Sequence, residues 1–273
     1  MTPLAFSRRT LRIHETDLDV ATLQRDGNAE PIVFLHGFGS TKEDYADISL
    51  HSRFDDHPVL AWDAPGCGVT ECSRLDRISI GLLIDTAVAM VDAAGYERFH
   101  LVGHSMGGLT SLMLADRIPE RVLSFTNIEG NVASEDCFLS RQIDQLPDDD
   151  CERFLQRFIK RVRQSPAFAS SLYAASLPHK VRAQAVPGIF RSMVDLSDNG
   201  DLMHRFLKLR CPKMFMYGEQ NQHLSYLPHL ARHSVRLACI TQCGHFPMYS
   251  NPPGMWNAIA KFLQFSKSQA MSL

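Results

Sequence analysis

The chain has 273 residues, of which 45% are hydrophobic and 21% are charged, and its formal net charge is −2. This composition is typical of a globular protein with one large domain, or one domain carrying a sizeable insertion. The small net charge gives no support for a nucleic-acid-binding protein or a protein that binds acidic membranes. No apolar stretch approaches the ~18 residues of a transmembrane helix, and residues 1–15 do not resemble a signal peptide. We therefore expect a cytoplasmic protein.

The first predicted element is an antiparallel edge hairpin over residues 8–27, where polar and apolar residues alternate. Short apolar runs bounded by Gly, Pro or Asp follow, and such runs are typical of strands buried on both faces of a parallel sheet. They are PIVFLHG, PVLAWDAPG, FHLVGHS, VLSFTNIEG, KMFMYGE and RLACITQCG. Helical patterns separate the second run from the third and the third from the fourth. This repetition predicts an α/β fold with a mostly parallel sheet.

The alternation of strand and helix stops after IEGN. From residue 131 to residue 207 only helical segments punctuated by Pro and Gly occur, and strand-like sequence resumes at Lys213. We interpret 131–207 as a mostly helical cap inserted over one end of the sheet. Residues 1–130 and 208–273 would then form the core.

A basic stripe lies within this predicted cap. One face of a predicted helix carries four cations, and another face carries apolar residues. The cations are Arg153, Arg157, Lys160 and Arg161, and the apolar residues are Phe154, Phe158 and Val162. A basic stripe can hold an anionic substrate, but a solvated helix face is the better explanation here.

The segment FHLVGHSMGG, residues 99–108, carries the strongest chemical signal. A predicted strand leads into Gly-His-Ser-Met-Gly, and a helix follows immediately, which is the arrangement of a nucleophile elbow. Ser105 must occupy a tight turn so that its oxygen stands clear of the sheet. Gly103 and Gly107 flank it because a Cβ at either position would collide across the turn.

The segment FLHGFG, residues 34–39, ends the first apolar run. A glycine-containing turn there can direct a backbone amide toward the elbow, so Phe38 and Met106 are the predicted amide donors of an oxyanion hole. We expect His36 to hydrogen-bond this turn rather than to act as a base.

A histidine on a loop is the candidate base. His245 follows the last strand-like run and precedes a helix that opens with Pro. Loops at the carboxyl ends of parallel strands are where such sheets place their active sites.

Cys239, Cys243 and His245 raise the question of a metal site in the same segment. No fourth ligand lies at a recognisable spacing, so we expect neither a metal nor another cofactor. The seven cysteines show no disulfide-like or CxxC spacing and are predicted to be free thiols.

The blocks HGFG, DAPGCG, GHSMGG and GHFPMYSNPP resemble the ordered motifs of the α/β-hydrolase superfamily over nearly the whole chain. The resemblance implies an α/β-hydrolase fold with an eight-stranded, mostly parallel sheet and a helical cap. It implies Ser105 as nucleophile, His245 as base and a structural role for Asp63. Because the nucleophile position holds Ser, the resemblance disfavours haloalkane dehalogenases and epoxide hydrolases, which use Asp.

The chain departs from this family at the third member of the triad. Most members carry Asp after the strand that corresponds to KMFMYG, where this chain has Asn221. An amide can orient an imidazole but cannot stabilise an imidazolium by charge. Glu129 ends the strand after the elbow helix, some family members place their acid there, and the order Ser, Glu, His is preserved.

We therefore predict Glu129 as the acid of the triad. Its carboxylate could instead cap the following turn, and that interpretation stays open. The alternative groups are Glu219, Asn221, Asp195 and Asp198.

Together these residues predict a cofactor-free serine hydrolase of a small ester, lactone or thioester. Carbon–carbon bond hydrolysis of a dienoic diketone and acyl transfer use the same groups. A ligand-binding receptor that keeps the triad but barely turns over is a candidate from another class. The expected partner is a small-molecule acyl substrate rather than nucleic acid or membrane. The sequence leaves the substrate and a homo-oligomeric state open.

Overall fold

A computed structural model describes residues 3–145 and 150–270 of the chain. β1 (Ala5–Ile13) and β2 (Thr16–Arg25) pair antiparallel along their whole length, and β1 lies at one edge of the sheet. The alternating sequence of residues 8–27 therefore forms the predicted edge hairpin.

The sheet continues with the runs predicted to be strands. In chain order they are β3 (Ile32–Leu35), β4 (Val59–Trp62), the short β5 (Glu71–Cys72), β6 (Phe99–His104), β7 (Val122–Ile128), β8 (Lys213–Gly218) and β9 (Arg236–Ile240). The strand order is β1-β2-β4-β3-β6-β7-β8-β9, and neighbours from β4 to β9 are parallel. The predicted eight-stranded, mostly parallel sheet is confirmed, and β5 adds a short ninth strand beside β2.

Helices connect the strands and cover the sheet. In chain order they are α1 (Ile80–Ala93), α2 (Met106–Arg117), α3 (Cys151–Arg163), α4 (Ser170–Lys180), α5 (Val186–Asn199), α6 (Leu202–Lys208), α7 (Leu227–Arg232), α8 (Pro247–Ser250) and α9 (Pro252–Ala270). Side-chain caps fix two of the starts: Ser79 accepts from the Leu82 amide at α1, and Asp150 accepts from the Arg153 amide at α3. Within the described residues, no helix is long and apolar enough to cross a bilayer.

Burial follows position in the sheet. Every residue of β3, β4 and β6 is buried, as their apolar runs predicted. The same prediction is wrong for β9, where Arg236 and Cys239 are exposed. β9 lies at the far edge, so only β8 pairs with it and one side of the strand faces solvent.

Between β7 and β8 the described residues form helices and turns. The cations of the predicted basic stripe are exposed on α3, whereas Phe154, Phe158 and Val162 are buried. α6 also lies within the predicted cap range, but it packs on the core. Its Phe206 contacts Phe125 of β7 edge to face, and its Arg205 pairs with Asp116 of α2. The division into core and cap stays a prediction. The contacts of α6 with β7 and α2 place this helix with the core.

A buried histidine lies near the amino end of β6. The Nδ1 atom of His100 is 2.8 Å from Ser124 Oγ, and its ring lies 6.1 Å from that of His57. Burial lowers the pKa of His100 to about 4, and a charge on His57 would act in the same direction. In the unfolded chain this pKa returns to about 6.5. Between these two pH values the unfolded state binds more protons, so the group's contribution to stability is complete above about pH 6.5 and is lost as the pH falls toward 4.

We expect His100→Gln to weaken the acid sensitivity of folding, because glutamine can keep a hydrogen bond to Ser124 but takes up no proton. The difference in urea midpoint between pH 7 and pH 5 should be smaller than in the wild type. The control is His204→Gln at an exposed position. An equal pH dependence in wild type and His100→Gln would show that His100 does not contribute.

Candidate active site

Ser105 lies in the turn between β6 and α2. Its φ of 51° and ψ of −118° place a residue with a side chain in a region of backbone space that is rarely occupied. The Ser105 amide donates to the Ile128 carbonyl oxygen at 2.9 Å, which ties the turn to β7. A Cβ at Gly107 would overlap the Leu35 carbonyl oxygen, and a Cβ at Gly103 would overlap the backbone of Gly107. The segment therefore has the geometry of a nucleophile elbow.

His245 lies on the loop between β9 and α8, and Glu129 follows the last residue of β7. The Nδ1 atom of His245 is 2.7 Å from Glu129 Oε2. Their side chains are only 11% and 5% exposed, respectively. Little water competes for this contact, so a charge on the carboxylate acts strongly on the imidazole.

Two further donors hold the Glu129 carboxylate. Its Oε1 accepts from the Gly218 amide at 2.7 Å, and its Oε2 also accepts from Asn221 Nδ2 at 2.7 Å. Both oxygens of this buried carboxylate are thus hydrogen-bonded, which offsets the cost of removing it from water. Asn221 occupies the position where an Asp was expected, and it contacts the carboxylate that lies against His245.

The structure places the alternative acids elsewhere. Glu219 is exposed, and its Oε2 accepts from the Gln242 amide at 2.8 Å. Asp198 pairs with Arg141 at 2.7 Å, and Asp195 accepts from Asn199 at 2.8 Å. Of these groups, the described contacts bring only Glu129 to His245.

Of the two predicted oxyanion donors, Met106 follows Ser105 within the elbow and Phe38 lies on the loop after β3. Phe38 and Ser105 line the same pocket. Met106 is the first residue of α2, where a backbone amide has no partner within the helix. The Phe38 carbonyl oxygen accepts from the hydroxyl of Tyr173 at 2.7 Å, and Tyr173 is buried on α4. A side chain from the predicted cap therefore holds the backbone of the turn that contains Phe38.

His36 has the structural role that the sequence predicted. Its Nδ1 donates to the Gly37 carbonyl oxygen at 2.7 Å, and its Nε2 accepts from the Ala64 amide at 2.8 Å. Asp63, implied to be structural, accepts from the Lys42 amide at 2.9 Å and from its ammonium group at 3.0 Å. These bonds fasten the loops after β3 and β4 to each other.

The pocket at Ser105 is small. Ser105 and His245 line a cavity of about 20 Å³, enough for about one water molecule. Buried Phe38, Phe190 and Met193 form part of its wall. The hydrogen bonds formed by the described residues include none between the Ser105 and His245 side chains. Such pairs often close only when substrate is bound.

Sequence reasoning missed two titratable groups at this site. The buried His104 donates from Nε2 to the His245 carbonyl oxygen at 2.8 Å. Burial lowers the pKa of His104 well below its ordinary value, and the neighbouring His245 acts in the same direction. Asp136 lines the pocket and accepts from the Val132 amide at 2.8 Å and the Tyr226 hydroxyl at 2.7 Å. Burial raises the pKa of Asp136 to about 6.

No sequence pattern marks Asp136, whose partners come from its own turn and from α7's start. The sequence marks His104 only as the residue before Ser105 in the elbow motif, a position that the motif leaves variable. Across residues 3–145 and 150–270, no group of three or more His, Cys, Asp or Glu residues is placed to hold a metal ion. Cys239 is exposed, and the Cys243 thiol donates to the Gly244 carbonyl oxygen at 3.0 Å.

Comparison with known proteins identifies the family. The family model described as "Alpha/beta hydrolase family" matches residues 32–258. The chain belongs to the alpha/beta hydrolase family. It is accordingly an enzyme of the hydrolase type.

Individual members show how far the similarity extends. The chain is 25% identical over 262 residues to the pimeloyl-[acyl-carrier protein] methyl ester esterase of Aeromonas hydrophila subsp. hydrophila, covering 89% of this chain and 98% of that protein. It is 36% identical over 101 residues to the dihydrolipoyllysine-residue acetyltransferase component of the acetoin cleaving system of Cupriavidus necator. That match spans 37% of this chain and only 26% of the relative's length.

A solved structure of a Nitrososphaera gargenis carboxylesterase superposes with a TM-score of 0.78 at 13% identity, covering 96% of this chain and all of that one. This likeness shows a shared fold.

Proposed function

We propose that this alpha/beta hydrolase cleaves a small carboxylic ester, lactone or thioester through an acyl-enzyme formed on Ser105. The observation that carries the proposal is the buried 2.7 Å contact between His245 Nδ1 and Glu129 Oε2, beside a serine in a nucleophile elbow. The esterase among the relatives supports the same reaction class. We also propose the cytoplasmic location expected from the sequence.

In the first half-reaction His245 Nε2 takes the proton from Ser105 Oγ as that oxygen attacks the substrate carbonyl carbon. The Glu129 carboxylate keeps the proton on Nδ1 and stabilises the imidazolium, and it remains ionised throughout. The amides of Phe38 and Met106 donate to the oxyanion. The intermediate then collapses, and His245 gives its proton to the leaving oxygen or sulfur.

In the second half-reaction water replaces the leaving group. His245 takes a proton from the water as it attacks the acyl carbon, and Ser105 leaves with that proton restored. The small cavity leaves room for about one water molecule beside the two residues. Carbon–carbon bond hydrolysis and acyl transfer would use the same groups, but no contact within the described residues favours either over ester hydrolysis.

Labelling with a fluorophosphonate followed by peptide mapping tests the nucleophile. We expect the label on Ser105, because only this serine lies in the elbow. Ser105→Ala should lose both the label and the turnover of a panel of esters with different chain lengths. Ser140→Ala, which changes another serine of the pocket, should keep the label. Unchanged ester turnover in Ser105→Ala would contradict the proposed mechanism.

Two matched glutamate variants test the acid. Glu129→Gln should lower kcat by roughly three to four orders of magnitude, because an amide cannot stabilise the imidazolium and favours the wrong tautomer. Glu219→Gln should be nearly silent, since Glu219 is exposed and contacts the Gln242 amide. The measurement is steady-state ester hydrolysis by variants whose circular dichroism matches the wild type. The reverse ranking would return Glu129 to a structural role.

A further inference from the structure

Two cavities of unequal size meet at His245. The small one at Ser105 has a volume of about 20 Å³. The other has a volume of about 260 Å³ and is lined by His245 but not by Ser105. Both include Tyr173 and Phe246 in their walls, so they adjoin each other at the histidine. We call the larger one the His245-side cavity.

The proposed mechanism indicates which part of the substrate each of the two cavities would hold. In the tetrahedral intermediate the acyl carbon is bonded to Ser105 Oγ, and the departing oxygen must receive the proton of His245. The departing group therefore lies on the side of the histidine. The acyl group stays on the side of the serine, where the walls include the buried side chains of Phe38, Phe190 and Met193.

The walls of the His245-side cavity are mostly apolar and aromatic. Phe138 and Phe168 are 58% and 46% exposed, so their rings are accessible to a ligand. They line the cavity together with Tyr173 and Phe246, so that ring edges and faces are available to a flat ligand. The Phe138 ring already packs edge to face on the His245 ring, with centroids 5.6 Å apart.

One cation also lines this cavity. Arg161 belongs to the basic stripe of α3, which the sequence explained as a solvated face, and it is exposed. Over residues 3–145 and 150–270, no carboxylate lies within ion-pair distance of its guanidinium group. Arg157 and Lys160 of the same stripe do not line the cavity. Arg161 is thus the stripe residue placed to meet a ligand that fills the cavity.

We propose that the His245-side cavity binds the leaving group of the substrate, an aromatic alcohol with an anionic substituent that pairs with Arg161, and that the acyl group is as short as acetyl. The inference rests on the proposed function and names its substrate class. In the reaction the bond between the acyl carbon and the alcohol oxygen breaks as the bond to Ser105 Oγ forms. The proton of Ser105 passes through His245 to the departing alcohol, and water later releases the acid.

A pair of isomeric esters tests the direction. In 3-(acetoxymethyl)benzoate the ring with its carboxylate belongs to the leaving alcohol. In the isomer methyl (3-carboxyphenyl)acetate, which is esterified at the acetic acid side chain, the ring with its carboxylate belongs to the acyl group. Each kcat/KM is divided by the rate of hydroxide-catalysed hydrolysis of the same ester. We expect the acetate to be preferred at least tenfold by the wild-type enzyme. Equal rates, or a preference for the methyl ester, would overturn the inference.

Substitutions in the cavity test its occupant. Arg161→Gln should lower the preference for 3-(acetoxymethyl)benzoate over benzyl acetate by about threefold, the size expected of an exposed ion pair. Arg157→Gln should leave that preference unchanged. Ala167→Phe narrows the cavity and should slow both benzyl esters more than it slows ethyl acetate, whose leaving group is smaller. An unaltered preference in Arg161→Gln, or equal slowing of all esters by Ala167→Phe, would contradict the assignment.

Fluorophosphonate labelling of the same preparations separates the two levels of the proposal. If Ser105 is labelled but the acetate is not preferred, the leaving-group assignment fails and the serine hydrolase remains. If Ser105 is not labelled and neither isomer is hydrolysed, the proposed function fails and the assignment fails with it.

Discussion

The Glu129 carboxylate connects the carboxyl ends of three neighbouring strands, β7, β8 and β9. Glu129 directly follows β7, and its carboxylate accepts hydrogen bonds from Gly218, the last residue of β8, and from Asn221 beyond β8. Its Oε2 also lies 2.7 Å from Nδ1 of His245, beyond β9. A carboxylate with a 5% exposed side chain is costly to bury unless its oxygens are hydrogen-bonded. These contacts meet that cost and fix where the imidazole lies relative to Ser105.

Close packing between the elbow and the turn after β7 keeps the proposed acid in register with the nucleophile. Ser105 and Glu129 both have positive φ, 51° and 46°. A Cβ at Gly130 would overlap Gly108 of α2, so the turn after Glu129 can approach the helix only with glycines at both positions. Asn127 Oδ1 accepts from the Gly130 amide at 2.6 Å and holds the turn. The apolar strand in NIEGN thus ends on a carboxylate that the backbone directs toward β8 and β9.

Much of this arrangement could be predicted from the sequence because its signals are local. Apolar runs identified the parallel strands, and glycines spaced around Ser105 identified the elbow. The roles of Asn221 and Tyr173 could not be predicted, because each makes its contact with a residue far away in the chain. Asn221 Nδ2 reaches Glu129, and the Tyr173 hydroxyl reaches the carbonyl oxygen of Phe38. The exposure of β9 was missed for a related reason, since edge position depends on strand order and not on composition.

In the proposed mechanism the Glu129 carboxylate holds the Nδ1 proton of His245. Proton NMR tests it without reference to any substrate, because a proton shared between an imidazolium and a buried carboxylate resonates far downfield. We expect such a resonance for the protonated imidazole in the wild type and its loss in Glu129→Gln at the same pH. Persistence of the resonance in Glu129→Gln would show that another group holds His245.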